Sequence, residues 1–462
     1  MKSKNPLVTV YIVNHNYGKY LKQAIQSVQK QTLQNFEMII IDNDSKDNSF
    51  DVINKFKNEK KISIVFQKNI GLNATNNVAI KMAKGKYIMR LDADDYLDPN
   101  ALQLMSSKLE KNPELGLVFP DYYIVDQNSN ILELVRRHDF SDVKLLDQPA
   151  HGACTMARRD CLIAVQGYDE SYHCQDGWDI WLKFINNFGV ENINLPLFFY
   201  RKHKNSLSAN EKKILSTRAK ILKKKAKTLS KISNLAVIPA RGPELDKASF
   251  ALKKIGNKFL IDWTIDEAIK AKSVDKIVIT TPSDSIEKHV KKKYKDSIKV
   301  FKRDWALAAI NVSLDKTLTD LFNKLPSKLN NFNVITILYI EYPFRTSQFI
   351  DMAINALRVF NTDRVISMRI QEDIFYSHKG AGIEPLKKNK FLKQEKEEIY
   401  KEAGGIFTIK RGKMFRESRT DRKIGHICLD EKASLGVYTK FDWNLAKLYA
   451  KDVLKNYKNE KN

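Results

Sequence analysis

Hydrophobic positions along the first half of the chain come in short runs that stop abruptly at polar residues. Val8 to Val13 ends at Asn14-His15-Asn16, and Leu21, Ala24, Ile25 and Val28 then recur at helical spacing. Phe36 to Ile41 is a second run, closed by Asp42, and Tyr87-Ile88-Met89-Arg90-Leu91 is a third, closed by Asp92, Asp94 and Asp95. Runs of this length read as buried strands, and a three-and-four spacing reads as amphipathic helix. Strand, helix and strand with polar residues at every strand end predict a doubly wound α/β sheet of nucleotide-binding type. The pattern restarts at Asn234, with strands at Asn234 to Pro239, Lys276 to Thr281 and Val334 to Leu338 and helical spacing from Phe259 to Ala271. Two such α/β domains are therefore expected, residues 1–210 and 233–462. Between them, residues 211–232 hold nine Lys or Arg, with Ile214, Leu215, Ile221, Leu222, Ala226 and Leu229 at helical intervals. That segment predicts a basic amphipathic linker helix.

The carboxylates add chemistry to this outline. Side chains two apart on a strand point the same way. Asp92 and Asp94 can thus reach one spot outside the sheet's carboxyl edge, where open α/β sheets bind ligands. Two converging carboxylates suit Mg²⁺ or Mn²⁺, and such a cation usually carries substrate phosphates.

Composition mainly excludes. A length of 462 residues exceeds one ordinary core, in keeping with two domains. No run approaches the roughly 18 apolar residues of a membrane span, and the start, Met1 to Pro6, has no apolar signal core. Cys154, Cys161, Cys174 and Cys428 lack metal-type spacing, so reduced thiols in a cytoplasmic protein are expected. The net charge of +25 is spread over both halves and accompanies no zinc-finger or RNA-recognition pattern, so nucleic acid is not an expected partner. A positive surface does suit diphosphate ligands and anionic lipid. Peripheral contact of helix 211–232 with the inner face of the cytoplasmic membrane is the alternative to a plain connector.

The motif order of the first 205 residues resembles the family-2 glycosyltransferases of GT-A fold. The carriers are Gln31-Thr32, the Asp42 strand end, Asn69-Ile70-Gly71-Leu72, the Asp92–Asp94 pair, Gly152 to Arg158, Gln175-Asp176-Gly177-Trp178-Asp179 and Tyr200-Arg201-Lys202-His203. The resemblance implies a metal-dependent, inverting transferase. It would move a sugar from a nucleotide-sugar donor to a glycan or lipid-linked acceptor in bacterial surface polysaccharide synthesis. It implies that Asp42 contacts the nucleotide base, with Asn14, Asp92 and Asn76 as further nucleotide contacts. Asp94, Asp92 and His203 would hold Mn²⁺ or Mg²⁺, and Asp176 would be the catalytic base, with Asp179 anchoring the helix that follows. Two departures stand out. Asn76-Asn77 replace an Arg usual near the donor diphosphate, and Gln175 replaces the acid that usually precedes the base.

Residues from about 234 to 450 resemble the acylneuraminate cytidylyltransferases. The resemblance rests on Ile238-Pro239-Ala240-Arg241-Gly242, Tyr342 to Thr346, Asp363 to Ser367, Ala403 to Phe407 and Phe441 to Ala446. Here the departures fall on the chemistry. Pro243-Glu244-Leu245-Asp246 stand where the family's phosphate loop has glycines and a Lys. Tyr339 to Tyr342 replace its Gln-Pro-Thr-Ser, and Leu435 to Tyr438 replace its metal-binding Asp pair. The expected domain is folded but degenerate, with Arg241 and Arg345 as anion candidates and dimerisation as a role typical of that family. The rival expectations are a bifunctional enzyme that also makes a CMP-activated nonulosonic acid, and a non-catalytic scaffold.

Overall fold

The computed structural model describes residues 5–137, 145–203, 210–244, 249–309, 312–329, 331–371, 373, 375–379, 382–385, 399–414 and 423–459. Two compact units divide the chain: residues 1–217 with 373–398, and residues 218–372 with 399–462.

The first unit runs β1 (Val8–Asn14), α1 (Gly18–Gln29), β2 (Phe36–Asn43), α2 (Ser49–Asn54), β3 (Ile62–Gln67), α3 (Leu72–Met82), β4 (Tyr87–Asp92), β5 (Tyr96–Leu97) and α4 (Ala101–Lys111). It continues with β6 (Leu115–Val125), β7 (Ile131–Val135), β8 (Met156–Arg158), α5 (Arg159–Ala164), α6 (Asp176–Phe184), β9 (Gly189–Arg201) and the start of α7 (Glu211–Lys227). Its sheet has the order β3-β2-β1-β4-β8-β6-β9-β5, with β7 on β6. The first four strands are parallel, and β1 lies between β2 and β4. The chain steps outward to one side of β1 and then crosses to the other side, so a crevice opens at the carboxyl ends of β1 and β4.

Local chemistry explains how these elements are held. The first turn of α1 is closed from outside, where Gly18 N donates to Asp47 Oδ2 at 2.9 Å. Gln31 of the Gln-Thr pair is a buried strut: its amide donates to Ser27 O and Asp98 O and accepts from Leu102 N. That motif therefore marks a structural joint between α1 and the stretch after β5.

The second unit contains the rest of α7, then β10 (Asn234–Pro239), β11 (Lys254–Ile255), β12 (Lys258–Phe259), α8 (Leu260–Lys270), β13 (Lys276–Thr281), α9 (Asp284–Tyr294) and β14 (Lys299–Lys302). It ends with α10 (Leu314–Lys324), β15 (Val334–Leu338), α11 (Ser347–Val359), β16 (Arg364–Gln371), β19 (Ile399–Lys410), β20 (Ile424–Cys428) and α12 (Lys440–Asn459). The small β17–β18 hairpin (Tyr376–Lys379, Gly382–Pro385), between β16 and β19 in the chain, belongs to the first unit. The sheet order is β14-β13-β10-β15-β19-β16-β20, with β10 between two parallel neighbours. Both units are thus doubly wound α/β sheets.

The basic segment forms one helix with a buried stripe. Leu215, Ala219, Ile221, Leu222 and Ala226 are buried while Lys212, Lys213, Lys220, Lys223, Lys224 and Lys227 stay exposed. Its last carbonyls are capped by Arg358 Nη2, which donates to Ala226 O, Leu229 O and Ser230 O at 2.8–3.1 Å. No helix among the described residues is long and apolar enough to cross a membrane.

Candidate functional site

The crevice of the first unit is built from strand ends. At β1 and β2, Asn14 and Asp42 face each other in register. Asn14 Nδ2 donates to Asp42 Oδ2 at 2.7 Å, and Ser45 N donates to Asp42 Oδ1 at 3.0 Å. Asn14 is 0% exposed and braces Asp42 at the strand end. Asn76 is fully buried in α3, and neither of its amide atoms has a hydrogen-bond partner among the described residues. Its neighbours Asn73 and Asn77 donate to Asp169 O and Tyr168 O, tying α3 to the chain ahead of α6.

At the end of β4 the acidic residues part company. Asp94 Oδ2 lies 2.9 Å from His203 Nε2, just past β9. Tyr17 and Tyr20 flank that imidazole at 5.6 and 5.8 Å, and burial followed by the charge of Asp94 raises the Tyr17 phenol, keeping it protonated. Asp92 turns instead to Arg90: Nε is 2.8 Å from Asp92 Oδ1, at ion-pair distance but without hydrogen-bond alignment, and Nη2 donates to Oδ2 at 3.3 Å. Burial pushes the Asp92 carboxyl up to about 6 against the pull of Arg90, with Asp94 and Asp176 adding to the rise. Asp95 is raised more strongly, by burial and then by Asp94 and Asp92.

Arg201 is spent on structure. It donates from Nε to Asp94 O, from Nη1 to Asp126 O and from Nη2 to Gln23 Oε1, each at 2.8 Å, while its backbone N–H donates to Asp95 Oδ1. Its guanidinium sets the position of the Asp94 backbone and of β9 before His203. Arg201→Met should destabilise the protein by roughly 3–5 kcal/mol, because it orphans several buried acceptors at once. Denaturant unfolding at constant m checks this; a loss below about 1 kcal/mol would contradict it.

Asp176 opens α6 and is ion-paired through Oδ2 to Arg90 Nη1. Asp179, one turn on, accepts from Asp169 N at 3.1 Å and pairs with Lys183 Nζ at 2.9 Å, the anchoring role expected of it. Sequence reading missed Arg90, although a lone cation two residues before Asp92 on an apolar strand was a visible signal. It also missed His151. That imidazole shares a small cavity with Arg90, Tyr11 and Tyr168, and burial, then Arg137 and Arg90, hold it neutral by lowering it to about 3.

Among the described residues no three His, Cys, Asp or Glu side chains gather into a ready metal cluster. The Asp94–His203 pair still fits a divalent ion that takes its other ligands from substrate phosphate and water. Both atoms are of ligand type, and they meet each other directly at 2.9 Å. The carboxylates Asp92, Asp94, Asp95 and Asp176 also outnumber the guanidiniums Arg90 and Arg201 by two.

In the second unit, a cavity of about 430 Å³ lies beyond β10 and β15, lined among others by Arg241, Arg303, Tyr339, Glu341 and Tyr438. Arg345, the other anion candidate, is 1% exposed and donates to Gly404 O, Gly405 O and Thr264 Oγ1, so it buttresses the sheet. The second cation of the cavity is Arg303, whose guanidinium falls to about 10 through burial and then repulsion by Arg241. Glu244 bonds Ser285 Oγ at the start of α9, while Leu245 and Asp246 lie outside the described residues.

The profile described as glycosyl transferase family 2 matches residues 9–163. An uncharacterized glycosyltransferase of Methanocaldococcus jannaschii is 31% identical over 205 residues, 42% of this chain and 71% of that protein. The chain belongs to glycosyl transferase family 2. Its transferase half is also 30% identical to a chondroitin synthase of Escherichia coli, over 41% of this chain and 28% of that protein. A further Escherichia coli relative, UDP-Glc:alpha-D-GlcNAc-diphosphoundecaprenol beta-1,3-glucosyltransferase, is 28% identical over 47% of this chain and 86% of its own length. In the second half of this family-2 glycosyltransferase, residues 249–461 match the profile described as cytidylyltransferase.

Proposed function

We propose that the first unit moves a sugar, with inversion, from a nucleotide-sugar donor to a hydroxyl of a glycan or lipid-linked acceptor during surface polysaccharide assembly. The observation that carries this reading is the meeting at one strand end of Asp94 with His203 and, through Arg90, of Asp92 with Asp176. Relatives named for glycan synthesis and for a diphosphoundecaprenol-linked acceptor support the acceptor class. Asp42, braced by Asn14 and Ser45, contacts the nucleotide at the β1–β2 side of the crevice. Asp94 and His203 would hold Mn²⁺ or Mg²⁺, which when bound offsets the charge of the departing diphosphate. Asp176 takes the proton of the acceptor hydroxyl as that oxygen attacks the sugar carbon from the face opposite the leaving phosphate. Incubation with Mn²⁺ and a panel of UDP-, GDP-, dTDP- and CMP-sugars should show donor hydrolysis with one nucleotide class. No hydrolysis across the panel would remove the reading.

The second unit is proposed to be catalytically silent. Leu435-Gly436-Val437-Tyr438 offer no carboxylate where its family holds a metal, and Pro243 lacks the N–H that a phosphate loop requires. The full-length protein with CTP, Mg²⁺ and nonulosonic acids should release no pyrophosphate above the enzyme-free rate. Robust release would establish a bifunctional enzyme instead.

A further inference from the structure

We propose that Arg90 is the positioning residue of the transfer reaction, orienting Asp176 toward the acceptor while bracing Asp92 on the donor side. The proposal rests on the reading of Asp176 as base. Arg90 lies inside the apolar strand β4, two residues before Asp92 and therefore on the same sheet face, and it is only 5% exposed. A buried guanidinium needs anionic partners, and the planar fork of Arg serves two at once in fixed directions. Here Nη1 takes Asp176 Oδ2, Nη2 donates to Asp92 Oδ2, and Nε lies at ion-pair distance from Asp92 Oδ1.

The meeting is built into the backbone. An added Cβ at Gly177 would lie 3.0 Å from Gly152 Cα, and one at Gly152 would lie 3.0 Å from Arg90 Nη2 and 3.2 Å from Asp176 Oδ2. Bare backbone at both positions lets the start of α6 approach β4 closely enough for the pair to form. Cys154 N donates to Arg90 O at 2.7 Å and pins the strand behind it.

The geometry divides the Asp176 carboxylate. Oδ2 is engaged by Arg90, whereas Oδ1 has no hydrogen-bond partner among the described residues. One oxygen is thereby held and the other is left to receive the acceptor proton. Losing Arg90 frees the carboxylate to rotate away and costs proton transfer, with the crevice that binds donor still in place. A lysine restores the charge but not the fork, so it recovers part of the function.

The test uses the full-length protein and the panel donor that wild type hydrolyses fastest, with water as acceptor. Wild type, Arg90→Met, Asp176→Asn, the double variant and Arg90→Lys are compared by kcat, donor KM and melting temperature. Arg90→Met should lower kcat by about 10-fold or more and Asp176→Asn by about 10²-fold or more, each with KM within about twofold of wild type. The double variant should be no slower than about twofold below the worse single, and Arg90→Lys should regain part of the loss. If Arg90→Met does not fold, the same cycle is run with Arg90→Lys. Losses that multiply in the double variant, unchanged kcat in Arg90→Met, or a rise in KM matching the fall in kcat would overturn the role of Arg90. An Asp176→Asn variant as fast as wild type, or no hydrolysis by wild type, would instead remove the base assignment and this proposal with it.

Discussion

Asp94→Ala is expected to abolish divalent-cation-dependent donor binding, and with it transfer, while leaving the fold intact. Asp94 contributes its side chain to the crevice and only its backbone carbonyl to the Arg201 clamp, so the alanine keeps the structural bond. Removing one of four crowded carboxylates also relieves repulsion, so the melting temperature should hold or rise slightly. In wild type a divalent ion should be visible as stabilisation. At Mn²⁺ about 100-fold above its dissociation constant the gain is about 2.7 kcal/mol. The gain should depend on pH in a definite direction. Asp92 is raised from 3.8 to about 6, so its contribution to stability is fully present below about pH 4 and lost as pH rises through 6. The metal-free protein therefore weakens over that window, and Mn²⁺ should raise the melting temperature more at pH 7 than at pH 5. Calorimetric titration of donor with Mn²⁺, together with melting curves at the two pH values, checks both parts. Unchanged donor binding in Asp94→Ala would sink the assignment of Asp94 and His203 as the ion's ligands.

The second large effect concerns the base. Asp176→Asn should cut turnover by on the order of 10²-fold or more and leave donor affinity nearly unchanged, since it removes proton abstraction alone. Asparagine keeps an oxygen for Arg90, so the buried guanidinium is not abandoned. Asp179→Asn should behave in the opposite way. Asp179 holds the backbone N–H of Asp169 and the ammonium of Lys183, and neither bond faces the crevice chemistry. Its loss should cost about 1–3 kcal/mol of stability and little turnover. Measuring kcat and melting temperature for both variants separates them, and the reverse ordering would assign the base to Asp179.

Local pattern carried much of this protein. The apolar runs that end at Asn14, Asp42 and Asp92 are strands because short continuous apolar segments are covered on both faces of a parallel sheet. Their polar ends meet because parallel strands connected by helices share one carboxyl edge. The same logic placed Arg241 at the mouth of the second sheet, where it does line the cavity. It could not tell Arg345, which turns inward onto the carbonyls of Gly404 and Gly405, from Arg303, which lines the cavity. Nor could it show that Asn14 and Asn76 are buried, since polarity at a strand end or on a helix does not say whether the side chain is covered.

What the sequence by itself determined is the doubly wound α/β architecture, the basic helix at Glu211–Lys227 and the set of acids delivered to the end of β4. These depend on periodicity and on turns, which act over a few residues. Only the tertiary structure decided which cation each acid meets. Asp176 lies 86 residues from Arg90 and His203 lies 109 from Asp94. Those pairs form because Gly152 and Gly177 admit a close approach and because Arg201 ties the end of β9 to the Asp94–Asp95 turn that follows β4. An ion pair reports distance in space, and the chemistry of these acids depends on packing that joins segments far apart along the chain.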